Sequence, residues 1–225
     1  MTQLKTIPLL RAGDHLTVEE FELRYDAMPN VRKAELINGV VYMPSPVRAE
    51  EHGDPHFTVA GWLGRYEWKT PGTIGSDNAT VRLQIGANQP QPDLHLRIEA
   101  ERGGRTWMEN GYVAGPPELV AEVAASSVNY DLHEKRDAFE RNGIPEYIVW
   151  RIEDAAIDWF ILRGNEYEKL ALVEGVYRSE IFPGLWLDAD ALIRDDRKRL
   201  VRVARKGTAS RVYATFVAKL ANATK

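Results

Sequence analysis

The chain of 225 residues contains no cysteine and carries 29 Lys plus Arg against 33 Asp plus Glu, a formal net charge of −4. The absence of cysteine excludes a disulfide-stapled secreted domain, a thiolate zinc site and a cysteine nucleophile. With 44% hydrophobic and 28% charged residues, the composition is typical of a globular protein. The net charge gives no overall attraction to a phosphate backbone, so a nucleic-acid role requires a local basic patch or metal ions.

The length suits one large domain or a domain with an appendage, and the chain can bury a sizeable core. We expect an N-terminal extension over residues 1–15, a main domain over 16–192 and a C-terminal helical appendage over 193–225. No stretch approaches the ~18 consecutive apolar residues of a membrane span. The first 13 residues lack the apolar region of a signal peptide, so we expect a cytoplasmic protein.

The first predicted elements are a helix and a hairpin. The run Thr17-Val18-Glu19-Glu20 is a capping box, which predicts a short helix that ends at about Ala27. Asn38-Gly39 separates two apolar runs within residues 34–42 and predicts a β-hairpin, because both turn residues tolerate positive φ. The proline-containing segment 43–46 should end the second strand.

A longer helix and two strands are predicted next. Residues 52–69 show apolar side chains at three- and four-residue spacing, which is typical of a helix. These side chains are Phe57, Ala60, Trp62, Leu63, Tyr66 and Trp68. Residues 80–85 and 93–98 predict strands, and the polar, glycine-containing segment 101–111 predicts a loop.

The centre of the fold is predicted at residues 118–125, where Glu122 interrupts a nearly continuous apolar run. Such runs are typical of strands buried on both faces. A helix over 131–141, capped by Asp131, and a strand over 147–151 complete a predicted right-handed βαβ unit. With further strands at 155–162 and 167–173 and a last helix at about 210–221, the pattern predicts an α/β protein with a mixed central β-sheet flanked by helices.

Glu122 is the most informative residue in the chain. An ionised carboxylate within a buried strand is costly unless it is paired, bound to a metal or protonated. The sequence therefore indicates either a functional carboxylate or a structural one. In the structural alternative, Glu122 lies at a strand end, facing solvent or pairing with an arginine.

Two other acidic residues have two interpretations each. Asp93 follows Pro92, and proline cannot donate to a sheet ladder, so Pro92 should mark a strand entrance. Asp93 at that edge either points into a cleft or is a simple turn residue. Glu35, near the start of the first hairpin strand, faces either the cleft of the sheet or solvent.

Lys135 interrupts an apolar helix face. Leu132 and Phe139 lie three residues before it and four after it, so all three side chains share one face of the predicted helix. A lysine at such a position should snorkel or find a carboxylate. The alternative is a surface ion pair with Asp131 at i,i+4.

Five motifs in this order carry a resemblance to a known family. Together they resemble the PD-(D/E)xK nuclease superfamily and, more closely, the Uma-two family of putative restriction endonucleases, over roughly residues 16–192. The motifs are Glu35-Leu36-Ile37-Asn38-Gly39-Val40, Gln91-Pro92-Asp93-Leu94, Glu118-Leu119-Val120-Ala121-Glu122-Val123, the helix with Asp131, Lys135 and Phe139, and Gly143-Ile144-Pro145-Glu146-Tyr147.

The resemblance implies a restriction-endonuclease-like core and a Mg²⁺-dependent DNA endonuclease. In that family pattern, Asp93 and Glu122 would hold Mg²⁺, for which Mn²⁺ can substitute, and the Val123 carbonyl could add a ligand. Lys135 would orient the attacking water or stabilise developing negative charge. Glu35 would position a second metal or a metal-bound water. A homodimer is expected because duplex DNA has two strands to cut.

This chain departs from the superfamily pattern at one position. The lysine of the (D/E)xK motif would fall at position 124, which is Ala124 in this chain. In the resembled family the lysine is commonly displaced to the next helix, and Lys135 stands at the matching position. The resemblance thus implies a site whose lysine approaches from a different backbone segment.

Two further features leave alternatives open. His52 and His56 are four residues apart and suggest a metal pair, but both lie at or before a helix start and can equally be capping or cleft-lining residues, one of which could contact phosphate. The segment 194–206 contains seven Lys/Arg and two Asp. It predicts either a phosphate-contacting patch or a solvated amphipathic helix.

Three functional hypotheses follow. The first is a Mg²⁺-dependent DNA endonuclease of restriction type that uses Glu35, Asp93, Glu122 and Lys135. The second is a catalytically silent nuclease-fold module that binds nucleic acid or protein, and it is favoured if Asp93, Glu122 and Lys135 lie too far apart to share one ion. The third is an enzyme that acts on RNA or a nucleotide.

Overall fold

The computed structural model describes residues 7–43 and 48–223. The described strands are β1 (Glu35–Ile37), β2 (Val40–Tyr42), β3 (Thr73–Asp77), β4 (Val81–Arg82), β5 (Leu94–Ile98), β6 (Trp107–Glu109), β7 (Tyr112–Ala114), β8 (Leu119–Ala124), β9 (Glu146–Arg151), β10 (Ala156–Arg163), β11 (Glu166–Lys169), β12 (Val176–Arg178) and β13 (Trp186–Asp188). The α-helices are α1 (Val18–Asp26), α2 (Asp54–Glu67), α3 (Val128–Tyr130), α4 (Arg136–Arg141), α5 (Ala189–Ile193), α6 (Arg197–Thr208) and α7 (Arg211–Asn222). Ala49–Gly53 and Asp131–Lys135 are π-helical turns, and Ala100–Arg102 is a 3₁₀-helical turn.

The central sheet contains six strands in the order β11-β10-β9-β8-β5-β3. β8 and β9 pair in parallel, and every other neighbouring pair in this sheet is antiparallel. Helices pack on the sheet, so the predicted α/β fold with a mixed central sheet is confirmed. None of the described helices is both long enough and apolar enough to cross a membrane.

The predicted βαβ unit forms the middle of the sheet. Every residue of β8 is buried, as expected for a strand covered on both faces. The crossover is helical from Val128, earlier than predicted, and contains the π-helical turn. Asp131 does not cap a helix start; its carboxylate instead accepts a hydrogen bond from the Ser127 hydroxyl at 2.6 Å.

The N-terminal elements form a small assembly with its own apolar cluster. Asn38 and Gly39 have φ values of 52° and 78°, which confirms the predicted tight hairpin. The Thr17 hydroxyl caps α1 by accepting the Glu20 N–H at 3.2 Å. The cluster comprises Leu10, Phe21, Ala34, Leu36 and Val41. The predicted strand end at 43–46 falls mostly on residues 44–47, which lie outside the described residues.

Several sequence predictions differ from the structure. The Phe57 and Trp68 side chains are 73% and 85% exposed, so the buried stripe of α2 includes Val59 in their place. The strand predicted over 80–85 is reduced to β4. The predicted loop over 101–111 contains most of a 3₁₀-helical turn and the short strand β6.

The two faces of the sheet carry separate cores. Alternating residues of β8 send Leu119, Ala121 and Val123 to one core and Val120 and Ala124 to the other. The same alternation places Glu122 on the second face, beneath the crossover helices. This is the face on which the candidate site is built.

The basic C-terminal segment belongs to an amphipathic helix. Leu200 and Ala204 of α6 are buried in the first core, whereas the basic residues Arg197, Lys198, Arg202, Arg205 and Lys206 are exposed. The segment thus forms an amphipathic helix, and a phosphate contact by its exposed basic face stays a prediction. The predicted boundary between the main domain (16–192) and the C-terminal appendage (193–225) stays a prediction. In the structure α6 packs on α2 and β13.

Candidate active site

Glu122 of β8 is 4% exposed and lies among charged partners. The Lys135 ammonium is 2.7 Å from its Oε1, and the Asp93 N–H donates to its Oε2 at 3.3 Å. Burial raises the pKa of Glu122 well above its ordinary value, the Lys135 charge opposes this effect, and the Asp93 and Asp131 charges add to it. The Glu122 carboxylate is therefore balanced by the buried Lys135. The structural alternative required it to face solvent or to pair with an arginine, and it does neither.

Lys135 ends the π-helical turn and is 1% exposed. Its ammonium lies 2.7 Å from Glu122 Oε1, 2.9 Å from Glu35 Oε1 and 3.9 Å from Asp131 Oδ1. Burial alone would lower the pKa of Lys135, but the surrounding carboxylates, led by Glu122 and Glu35, hold it well above its ordinary value. The alternative of an exposed pair with Asp131 is wrong because the side chain is buried and its two shortest contacts are elsewhere.

Asp93 immediately precedes β5 and is 3% exposed. Its Oδ2 accepts the Val123 N–H at 2.9 Å and lies 3.1 Å from His52 Nε2, while Oδ1 lies 3.1 Å from Lys33 Nζ. Burial by itself would raise the pKa of Asp93, but the His52 hydrogen bond and the Lys33 charge hold it well below its usual range. Asp93 is thus an ionised, buried carboxylate, not a simple turn residue.

Glu35 connects the hairpin to the same cluster. It is 3% exposed at the start of β1, and its Oε1 accepts the Gln91 N–H at 2.7 Å and contacts the Lys135 ammonium. Glu35 therefore faces the cleft of the sheet and not solvent. The structure brings together all four residues singled out from the sequence.

Lys33, His52 and His56 extend the cluster beyond those four residues. His52 and His56 stack with ring centroids 5.5 Å apart. His52 contacts the Asp93 carboxylate, whereas His56 Nε2 lies 3.2 Å from Asp77 Oδ1 and 3.3 Å from the Asp93 carbonyl oxygen. The two rings line the site and contact different carboxylates. Sequence reasoning did not find Lys33, whose one signal was its place two residues before Glu35, because alternate side chains share a side wherever the backbone is extended.

The donor set fits a hard divalent cation that retains water ligands. In residues 7–43 and 48–223, no group of three or more His, Asp or Glu is arranged to hold a metal by protein ligands alone. Mg²⁺, however, is usually held by one or two carboxylates and several waters. Glu122 of β8 and Asp93, immediately before the neighbouring β5, supply two carboxylates. Glu122 Oε1 is buried and has the Lys135 ammonium at 2.7 Å, and Oε2 accepts the Asp93 N–H, so a cation bound by Glu122 would lie next to Lys135.

The chain was compared with known proteins by sequence and by structure. One structural match is a crystal structure at 1.96 Å described as a putative nuclease belonging to DUF820 from Anabaena variabilis ATCC 29413. The TM-score is 0.54 with 15% sequence identity, and the match covers 79% of this chain and 99% of that chain. This likeness shows the fold. No curated protein matched.

The sequence comparison identifies the family, which the structural comparison does not. The model of the Uma2 family, described as "Putative restriction endonuclease", matches residues 18–190. That span is well over half of the chain and includes Glu35, Asp93, Glu122 and Lys135. The family predicted from the five motifs is confirmed, and the chain belongs to the Uma2 family of nuclease-fold proteins.

Proposed function

We propose that this protein is a Mg²⁺-dependent endodeoxyribonuclease of restriction type that hydrolyses phosphodiester bonds in DNA. The proposal depends on one observation above all: a buried lysine bridges Glu35 and Glu122, while Asp93, immediately before the neighbouring strand β5, contacts the same Glu122 through its N–H. A wide separation of Asp93, Glu122 and Lys135 would have favoured the silent module, and these groups instead lie together, which supports the enzyme. The family description and the nuclease-like fold give further support.

Each residue has a role that its surroundings favour. Asp93 and Glu122 would hold Mg²⁺, which when bound polarises the scissile phosphate and promotes ionisation of water. Lys135 would orient the attacking water or stabilise the negative charge that develops on the phosphate, because its ammonium stays charged. Glu35 would hold Lys135 in place through its 2.9 Å contact.

The remaining parts of the proposal concern the setting of the reaction. We propose that two copies form a symmetric dimer, since a duplex presents two strands to be cut. We also propose a cytoplasmic location, because a chain without cysteine needs no oxidising compartment for disulfides and DNA is accessible in the cytoplasm. Light scattering of the purified protein, free and bound to a short duplex, measures the first of these.

The decisive experiment is cleavage of supercoiled plasmid and of labelled DNA and RNA duplexes in Mg²⁺, Mn²⁺ or EDTA. We expect metal-dependent cleavage of DNA, reduced at least about a hundredfold by Asp93→Asn, Glu122→Gln or Lys135→Met. Glu118→Gln is the matched control, because Glu118 is a buried carboxylate of the segment leading into β8 that accepts the Ile98 and Arg105 N–H groups. Cleavage that persists in Asp93→Asn and Glu122→Gln overturns the site, and binding without cleavage in any metal favours the silent module.

A further inference from the structure

Two lysines contact the carboxylates of the site, and their side chains differ in exposure to solvent. The Lys135 side chain is 2% exposed and is held by Glu35 and Glu122. The Lys33 side chain is 24% exposed and contacts Asp93. The first is therefore enclosed in the protein, whereas the second reaches the same cluster from its solvent side.

The hydrogen bonds of Asp93 leave one oxygen to Lys33. Oδ2 accepts the Val123 N–H at 2.9 Å and also contacts His52, so a backbone group fixes it. Oδ1 has Lys33 Nζ at 3.1 Å as its hydrogen-bond partner within the described part of the chain. A divalent cation bound at Oδ1 would lie close to this ammonium and repel it strongly at a buried position, so we expect the cation to displace it.

We infer that Lys33 is a placeholder cation that occupies Oδ1 of Asp93 in the metal-free protein and transfers to a phosphate oxygen of the nucleic acid when a divalent cation binds. The inference depends on the proposed function, which supplies both the cation and the phosphate. It adds a residue that contacts substrate and gives the free enzyme a means of neutralising a buried carboxylate.

The side chain of Lys33 suits this exchange. A lysine ammonium is a point charge with three rotatable donors on a flexible four-carbon stem, so it can leave one oxygen and find another without movement of the backbone. Its stem begins two residues before Glu35, at the rim of the cluster. The ammonium would remain near the site after displacement, where the DNA backbone supplies phosphate oxygens.

This role predicts effects of opposite sign. Removing the Lys33 ammonium removes a competitor for Asp93, so metal binding should strengthen. The same change removes a phosphate contact, so DNA binding in the presence of metal should weaken and become less dependent on salt. A residue that only supported the fold would weaken both.

The test compares Lys33→Met with Arg32→Met, a control of equal charge change at the neighbouring exposed residue. Mn²⁺ is titrated into each protein by calorimetry without DNA. We expect the Kd of Mn²⁺ to fall roughly fivefold in Lys33→Met and to change less than about twofold in Arg32→Met. An unchanged or weaker affinity in Lys33→Met overturns the placeholder role.

The second measurement is DNA binding against salt concentration, in Ca²⁺ and in EDTA. In Ca²⁺, Lys33→Met should reduce the slope of log K against log salt by about 1, the amount expected for one phosphate contact. In EDTA its slope should match that of the wild type, because Lys33 stays on Asp93. Equal slopes in Ca²⁺ overturn the transfer to phosphate.

The two measurements separate this inference from the proposed function. If wild-type protein binds Mn²⁺ but neither binds nor cleaves DNA, the nuclease proposal and the transfer of Lys33 to phosphate both fail. Tighter Mn²⁺ binding by Lys33→Met would then still support displacement from Asp93. Cleavage by the wild type together with unchanged Mn²⁺ affinity in Lys33→Met would leave the nuclease standing and overturn the placeholder. Thermal unfolding of each variant shows that the protein is folded.

Discussion

The Lys135 ammonium lies 2.7 Å from Glu122 Oε1 although the two residues belong to different elements, a π-helical turn and the central strand. Both residues are almost fully buried, at 1% and 4% exposed. Each carboxylate oxygen near Lys135 is therefore balanced by a charge that water cannot replace. This dependence makes the stability of the protein sensitive to changes at either residue.

Lys135→Met should destabilise the protein by about 3–5 kcal/mol at neutral pH, because Glu35 and Glu122 would remain buried without their cation. Adding Glu122→Gln should recover part of that loss, since one of the two charges is then removed. Urea denaturation followed by circular dichroism measures both effects. Lys169→Met is the control, because Lys169 is 72% exposed and pairs with Asp158 outside the cluster; its cost should stay below about 1 kcal/mol. Equal costs for the two lysines would contradict the buried-pair account.

Divalent metal should stabilise the folded protein through Asp93. At a Mg²⁺ concentration a hundred times its Kd, binding adds about 2.7 kcal/mol to the free energy of unfolding. Thermal unfolding in Mg²⁺ and in EDTA measures this difference. We expect Asp93→Asn to lose most of it and Glu118→Gln to keep it. A metal-dependent increase that survives in Asp93→Asn would place the ion elsewhere.

Glu146 should make the stability depend on pH. Burial raises the pKa of Glu146 to about 7, against the opposing hydrogen bonds from Ser179, Glu180 and Ile181. Because the folded state holds the proton more tightly than the unfolded state, the stabilisation is complete below the unfolded pKa of about 4.3 and is lost as the pH rises through about 7.

Replacing Glu146 by glutamine removes the titrating group and should flatten this pH dependence. The free energy of unfolding, measured by urea denaturation at intervals between pH 4.5 and 8, should then vary less than in the wild type, by an amount on the order of 3 kcal/mol over the range. Glu166→Gln, at an exposed position of β11, should leave the profile unchanged. A Glu146→Gln profile as steep as that of the wild type would exclude Glu146 as its source.

The packing of the C-terminal helices depends on the absence of a side chain at Gly207. A Cβ there would lie 2.2 Å from the Gly184 carbonyl oxygen and 2.9 Å from Trp186 Cγ, so α6 would have to move away from the turn beneath it. We expect Gly207→Ala to cost about 1–3 kcal/mol. Gly61→Ala in α2 should instead stabilise by roughly 0.5–1 kcal/mol, because no atom of the described residues lies within 4 Å of the place its methyl group would take and alanine favours a helix. Thermal unfolding of the two variants should shift in opposite directions.

The central part of the fold was predictable because its signals are local. The apolar run around Glu122 indicated a strand buried on both faces, and Asn38-Gly39 indicated a tight turn; both predictions are confirmed. The predicted buried stripe of α2 was partly wrong because periodicity alone does not show which part of a helix is covered by the rest of the protein. The Phe57 and Trp68 side chains are exposed to solvent. The short strand β6 has no buried residue and therefore left no hydrophobic signal.

The site was predictable in membership but not in detail. Glu122 and Lys135 stood out because each placed a charge among apolar residues. Lys33 and His52 carry no such contrast, since both occur in polar surroundings, and their contacts to Asp93 depend on how the hairpin and the turn before α2 fold back on the sheet. The π-helical turn that carries Lys135 has no sequence signature of its own, so a regular helix was the natural expectation.

The N-terminal hairpin assembly has its own apolar cluster, and it supplies both Lys33 and Glu35 to the site. An element with a separate core can open as a cooperative unit while the sheet stays folded. Such an opening would leave Asp93 and Glu122 in register but would remove one lysine from Asp93 and one carboxylate from Lys135. Amide hydrogen exchange in β1 and β2 would then report on how often the site is dismantled. We therefore expect the integrity of the candidate site to depend on the stability of a hairpin that does not belong to the central sheet.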